Sequence, residues 1–222
     1  MDAKLRKLRR QADSGSRLTQ SQVECLTSEL AAYQISHLAG EPPESLDIVD
    51  AQGRPTGVGA PRWLVHLLGL RHRVAQAMLK WASPGMGPVF LLQVRSWHKS
   101  DLPGRLDITV GGHLKAGQHP DAAILDEMYQ EIGLAPGHLA GSLRKVAEYQ
   151  VTSGRENSYF VDAEWRIVYT AQIPTEALDH IRFTDHEVAG LHLCPESEAA
   201  DLLNQTILPI ATGLRFSLPY LI

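Results

Sequence analysis

Residues 111–134, GGHLKAGQHPDAAILDEMYQEIGL, constrain this chain more than any other stretch. Two consecutive glycines, Gly111 and Gly112, let the backbone turn and let a ligand approach closely. Pro120 stands where a first-turn proline is tolerated, because its missing N–H has no partner there in any case, and Gly133 stands near the helix end. Between them Ile124, Leu125, Met128 and Ile132 recur at helical spacing and make an apolar stripe. Glu127 and Glu131 are four residues apart, so they stack one turn above the other on a neighbouring face. Stacked carboxylates repel. A hard cation between them relieves the repulsion, since magnesium takes oxygen ligands and typically uses one or two carboxylates plus substrate phosphates. The stretch predicts a strand end, a glycine loop and a helix with two metal-directed carboxylates.

The rest of the chain sets broad limits. With 222 residues, 44% hydrophobic and 21% charged, it has the composition of a globular protein with one good-sized domain and extensions. The net charge of −4 gives no global field to recruit a nucleic acid polymer, and 6% aromatic content argues against a base-stacking surface for one. No apolar run approaches the length of a membrane span. The basic start, MDAKLRKLRRQADSGSR, lacks the apolar stretch of a secretory signal. Cys25 and Cys194 lack CxxC spacing and fit a reducing, cytoplasmic compartment, with a single bridge as the alternative.

Read in order, residues 3–12 favour helix, with KLRKLRR as a solvated face or a phosphate-binding patch. Thr19 and Gln22 form a capping-box pattern that opens a helix to about Leu38, stopped at Gly40, and EPPE at 41–44 marks a linker. Residues 45–62 read as strand, tight turn and a second extended piece, and 60–70 as helix or turn carrying His66. Strands are expected at 73–81, 89–96, 106–110, 143–151, 164–173 and 187–194, a helix at 195–203, and a docked helical tail from Leu208. This order suits an α/β (α+β) fold, a curved mixed β-sheet between helices, with an N-terminal helical extension.

The glycine–helix stretch resembles the Nudix box, G-x5-E-x7-R-E-U-x-E-E-x-G-U, with U aliphatic. Gly112, Glu127, Met128, Glu131, Gly133 and Leu134 fall on the pattern without gaps. Gln118, Asp126 and Gln130 depart from it, standing where the family has glutamate, arginine and glutamate. The resemblance covers roughly 45–205 and implies an α/β/α sandwich. It makes 1–44 an N-terminal helical extension and linker, 45–205 the Nudix domain, and 206–222 a C-terminal segment packing on it. The flanks LDIVDAQGRPTG, VHLLGLRHR and LLQVRSWHKSDLPGRLDITVGGH are similar to the branch that includes isopentenyl diphosphate isomerases. KSDLPGRLDITVGG is also similar to the Nudix domain attached to thiamin pyrophosphokinases.

The resemblance implies metal-assisted attack of water on a diphosphate linked to an organic group, with Mg²⁺ or Mn²⁺ as cofactor. It makes Glu131 the leading metal ligand, Glu127 a second ligand or the general base, and the carbonyl of Gly111 or Gly112 a backbone ligand. Isomerases hold a metal with histidines and carboxylates, which points to His66, His72, His113 and Glu164, with Asp162 on the same strand face as Glu164. Such a set suits manganese or zinc. Arg95 and Lys99 resemble residues that meet substrate phosphates, and Gln118 and Gln130 offer neutral amides near them. The isomerase also needs a cysteine directly before its Gly-His pair, and Gly111 stands there. The expected activity is hydrolysis of a nucleoside diphosphate derivative or other small organic diphosphate. A diphosphate-binding module without turnover is the first alternative, and an isopentenyl diphosphate isomerase-like or thiamin diphosphate-related enzyme the second. Specificity is expected in loops 97–105 and 152–161. The N-terminal helices either cap the domain or pair two subunits into a homodimer.

Overall fold

The computed structural model describes residues 3–13, 18–34, 44–99, 101–154, 159–204 and 209–222. The helix stop at Gly40 and most of the expected linker lie outside them. Among the described residues the fold is mixed α+β, as expected, with nine strands and six α-helices. The helices are α1 (Ala3–Asp13), α2 (Gln20–Glu29), α3 (Arg62–Leu68), α4 (Pro120–Ile132), α5 (Ala199–Leu202) and α6 (Thr212–Ser217). The strands are β1 (Ser45–Val49), β2 (Pro55–Pro61), β3 (His72–Ser83), β4 (Gly87–Arg95), β5 (Leu106–Asp107), β6 (Val110–His113), β7 (Arg144–Ser153), β8 (Asp162–Ile173) and β9 (Val188–Pro195). They group into two compact units, the first from 1–74, 113–119 and 148–166, the second from 75–112, 120–147 and 167–222.

In the first unit β1 and β2 form an antiparallel hairpin over the turn at Asp50, whose side chain accepts from Gln52 and Arg54 backbone N–H groups. Ile48 pairs with His72 at the start of β3. Leu5, Val23 and Leu30 from the N-terminal helices join Leu46, Ala60, Leu64, Val65 and Leu67 in one apolar core. Thr19 and Gln22 make the expected capping box at the start of α2. That helix ends far short of Leu38, passing at Leu30 into a short 3₁₀ turn. Thr27 and Ser28 turn their hydroxyls back onto the carbonyls of Val23 and Glu24, a local bond that competes with helix propagation.

In the second unit the body of β3 pairs with β4, and β4 pairs with β5 on one side and β9 on the other, all antiparallel. Leu106 makes a parallel bridge with Ile210, which brings the C-terminal segment onto β5. Asp107 accepts hydrogen bonds from the N–H groups of Ile108 (2.9 Å) and Leu214 (2.8 Å). The bond to Ile108 takes a backbone N–H from the single strand expected at 106–110, which is split into β5 and β6. Gly111 and Gly112 lie inside β6 rather than in a loop, a correction to the sequence reading. The helix expected at 195–203 is a 3₁₀ turn followed by the four-residue α5.

Candidate functional site

The first unit gathers three histidines and a carboxylate. Gly69, left-handed at φ +64, ends α3 and turns the chain into β3. A β-carbon there would also meet Val161 Cγ1 at 2.9 Å, so the position demands glycine on two counts. This turn folds His66 back against His72, with ring centroids 5.1 Å apart. His113, at the end of β6, stacks on His72 at 5.0 Å and meets His66 edge-on at 5.2 Å. Asp162 opens β8, which the Val161 N–H to His66 carbonyl bond (2.9 Å) ties to α3. Its Oδ1 lies 3.7 Å from His66 Nε2 and 3.5 Å from His72 Nε2. One ligand atom from each of the four residues falls within 4.8 Å of all the others.

His72 Nδ1 lies 3.0 Å from the Leu70 carbonyl, which only accepts, so Nδ1 carries the proton and Nε2 keeps its lone pair toward the cluster. His72 Nε2 and Asp162 Oδ1 are buried and make no hydrogen bond. Buried polar atoms without a hydrogen bond are expensive unless something else neutralises them. Three imidazoles and one carboxylate suit a transition metal better than magnesium, which prefers an all-oxygen shell. Burial alone would lower the pKa of His72, but the facing Asp162 carboxylate outweighs it and holds the imidazole above its ordinary value. Burial would raise Asp162, and the His72 and His66 rings bring it down to about 2.

Glu164, the carboxylate expected among the ligands, lies outside this four-residue group. It is buried and ion-paired with Arg166. Burial and the neighbouring Asp162 charge push it up to about 7.

The second unit holds the paired glutamates of α4. Ala123, Ile124, Met128 and Ile132 are buried, whereas Leu125 is only half-buried. Glu131 is buried too, at 2% exposure. Its Oε2 accepts from the Gly111 N–H (3.2 Å) and from Gln93 Nε2 (3.1 Å). Burial, then the charge of Glu127, raises its pKa well above the ordinary glutamate value. The Glu127 carboxylate rests on Gly112, where a β-carbon would stand 2.2 Å from Oε1. The double glycine is therefore a seat for two carboxylates, one against a backbone N–H and one against a bare Cα.

The remaining candidates have other engagements. Arg95 bonds to Asp107 (3.2 Å) and to the carbonyls of Leu102 and Asp101, bracing its own loop. Lys99 pairs with Glu187. Gln118 Oε1 accepts from the Lys115 N–H at 3.1 Å, closing the turn before α4. Gln130 and Asp126 are exposed, and the Gln130 carbonyl accepts from Thr184. Sequence reasoning missed Gln93, although a lone polar residue in the apolar run VFLLQV was a signal. It noted Asp162 only as a neighbour of Glu164. The cue that was available is period two, which puts both carboxylates on one face of β8.

A family model described as NUDIX domain matches residues 71–211, well over half of the chain. Nudix hydrolase 3 of Arabidopsis thaliana is 28% identical over 166 residues, covering 73% of this chain and 20% of that protein. An uncharacterized Nudix hydrolase of Streptomyces coelicolor is 39% identical over 90 residues, 40% of this chain and 47% of its own length. The chain thus spans less than half the length of either relative. A crystal structure from Deinococcus radiodurans covers 80% of this chain and 99% of its own, with a TM-score of 0.58 at 18% identity, which is a likeness of fold. The glycine seat, the helix with its two carboxylates and the family match agree: the chain belongs to the NUDIX family.

Proposed function

We propose that the chain is a metal-dependent hydrolase that cleaves the diphosphate linkage of a nucleoside diphosphate derivative or another small organic diphosphate. The observation that carries this reading is Glu131, a buried carboxylate held by the Gly111 N–H and Gln93 beside a second carboxylate seated on Gly112. A fold gains nothing from burying a raised-pKa carboxylate next to another negative charge, so the arrangement points to chemistry at that place. Glu127 and Glu131, with the Gly112 carbonyl, would hold Mg²⁺ or Mn²⁺ together with substrate phosphates. His66, His72, His113 and Asp162 would hold a transition metal, with Glu164 beside them. A bound divalent ion would supply charge stabilisation at the phosphoryl oxygens and a more acidic water. Glu127, half-buried, would serve as the second ligand or take a proton from water, and Glu131 is held by its two donors. Both thiols are free, which suits a reducing, cytoplasmic setting.

Two details weigh against an isomerase. Gly111 has no side chain to move a proton, and a β-carbon there would meet Gln76 Cγ at 3.0 Å and the Ala75 carbonyl at 3.2 Å. The test is phosphate or nucleoside monophosphate release from a panel of organic diphosphates with Mg²⁺ and Mn²⁺, comparing wild type with Glu131→Gln. Release that needs metal and falls at least about 100-fold in the variant is expected. Equal rates in the two proteins would sink the proposal.

A further inference from the structure

Gln93 is a buried glutamine in the apolar run of β4, following Val89, Phe90, Leu91 and Leu92, which are buried as well. Its backbone is paired on both sides, with Asp107 of β5 and with Leu191 of β9. A buried amide is costly unless its polar atoms are bonded. Here Nε2 meets Glu131 Oε2 at 3.1 Å and, at 3.5 Å, the Thr109 carbonyl. A carbonyl only accepts, and so does an ionised carboxylate, so the amide nitrogen faces them and the flipped amide is excluded. Thr109 is held in turn. Its hydroxyl donates to the Leu91 carbonyl and accepts from the Leu79 N–H at 2.9 Å. The Gln93 amide therefore keeps one orientation, set by β3, β4 and the segment between β5 and β6.

Both donors to the Glu131 carboxylate share one of its oxygens. Oε2 takes the Gly111 N–H (3.2 Å) as well as Gln93 Nε2, and among the described residues Oε1 takes no hydrogen bond. Two donors on one oxygen hold the carboxylate plane and leave the other oxygen as the ligand atom. Both donors are neutral, so they orient the charge without cancelling it. A basic side chain in the place of Gln93 would hold the carboxylate too, but would take up the charge that a cation needs. α4 itself carries no basic residue, so the orienting donor comes from the sheet.

We propose that Gln93 is the positioning residue of the glutamate site: it commits Glu131 Oε2 to the protein and presents Oε1 alone to a divalent ion. This rests on the hydrolase reading above, in which Glu131 is a metal ligand. Removing a partner that orients a ligating carboxylate weakens metal binding or activity by about 10- to 100-fold.

The test is calorimetric titration of Mg²⁺, with the non-hydrolysable diphosphate analogue methylenediphosphonate present, into the full chain and into Gln93→Met and Gln93→Asn. Mg²⁺ prefers oxygen ligands, so the histidine cluster adds little to the signal. Methionine keeps the volume and removes the donor, whereas asparagine keeps the amide and shortens its reach. Mg²⁺ affinity is expected to fall at least about 10-fold in both variants. At saturating Mg²⁺, kcat is expected to fall at least about 10-fold with KM within about 3-fold. Adding Gln93→Met to Glu131→Gln is expected to change the residual rate less than about 2-fold, because the group it orients is already altered. Equal Mg²⁺ affinity in wild type and the Gln93 variants would overturn the inference. So would losses that add in full in the double variant, which would mean general damage to the core. If Gln93→Met fails to fold, the Gln93→Asn affinity decides in the same way. Weaker Mg²⁺ binding in the variants of a protein that releases nothing from any diphosphate would defeat the hydrolase reading and leave this one standing. Release that needs metal and Glu131 but is indifferent to Gln93 would do the reverse.

Discussion

Glu131 is the residue at which stability and function conflict most plainly. Glutamine there keeps an oxygen for the Gly111 N–H and Gln93 donors but removes a buried charge beside Glu127. Glu131→Gln is therefore expected to lose turnover and yet melt several degrees higher than wild type at pH 8, measured by calorimetry without metal. A lower melting temperature would mean the charge is structurally useful. Asp162 offers a second residue-scale test. In Asp162→Asn His72 loses its main counter-charge while burial remains, with Glu164 still nearby, so the imidazole pKa is expected to fall from its raised value, read from the NMR titration of its ring protons. Affinity for Mn²⁺ or Zn²⁺ should weaken at least about 10-fold in the same variant, by calorimetry. Unchanged metal affinity would remove Asp162 from the ligand set. Glu127 and Glu131 were legible in the sequence because helical spacing puts residues i and i+4 on one side. Period two put Asp162 on the face of Glu164, but which of the two meets the histidines, and that Gln93 meets Glu131, is decided by strand partners far along the chain.

Among the elements, the glycines in β6 and α6 tie local conformation to the site. Alanine at 112 drives a β-carbon into the Glu127 carboxylate at 2.2 Å. Gly112→Ala is expected to reduce kcat at least about 10-fold while leaving substrate affinity nearly intact, measured by steady-state kinetics. Gly213 plays a structural counterpart in α6, where a β-carbon would stand 2.2 Å from Asp107 Oδ1 and 2.8 Å from Gln76 Nε2. Ser217 Oγ bonds to Gln76 Oε1 at 2.9 Å in the same buried network. Gly213→Ala should cost about 1–3 kcal/mol in urea unfolding by overpacking that network. Most strands and α4 followed from periodicity and turn chemistry. The short α2, the split of β5 from β6 and the reduced α5 did not. In α2 hydroxyls bonding back to the helix compete with its propagation, and at β5 the Asp107 side chain takes the Ile108 N–H that a strand ladder would otherwise use.

For the molecule as a whole, the buried acids set a pH dependence. Glu131 lies well above the ordinary glutamate value and Glu164 rises to about 7. Each keeps a proton in the folded chain after the unfolded chain has released it, so stability falls as pH rises from about 4.5 toward 7. The raised His72 adds to the same trend, its contribution being lost as pH passes upward through its folded pKa. Asp162, lowered to about 2, works in the opposite sense, and its contribution is lost as pH falls from about 4 to 2. The metal-free protein should therefore melt highest near about pH 5 and lower at pH 8. Divalent metal should replace the lost protons and flatten that slope, with about 2.7 kcal/mol of added stability at 100 times its Kd. A melting temperature that rises steadily from pH 5 to 8 in metal-free protein would contradict this account.

The sequence by itself determined the family, the helix that carries Glu127 and Glu131, and the glycine pair in front of it. Those features are local, set by spacing of a few residues and by conformations that only glycine and proline permit. The tertiary structure decided which carboxylate meets the histidines, which nitrogen of His72 faces the cluster, and that Gln93 holds Glu131. It also committed Arg95 to its own loop. The meeting of Asp162 with the histidines and of Gln93 with Glu131 depends on segments far apart in the chain being brought within a few ångströms by burial and by hydrogen bonding across strands. The His72–Leu70 and Arg95–Leu102 bonds are close in sequence, but they depend on side-chain directions that no residue pattern encodes.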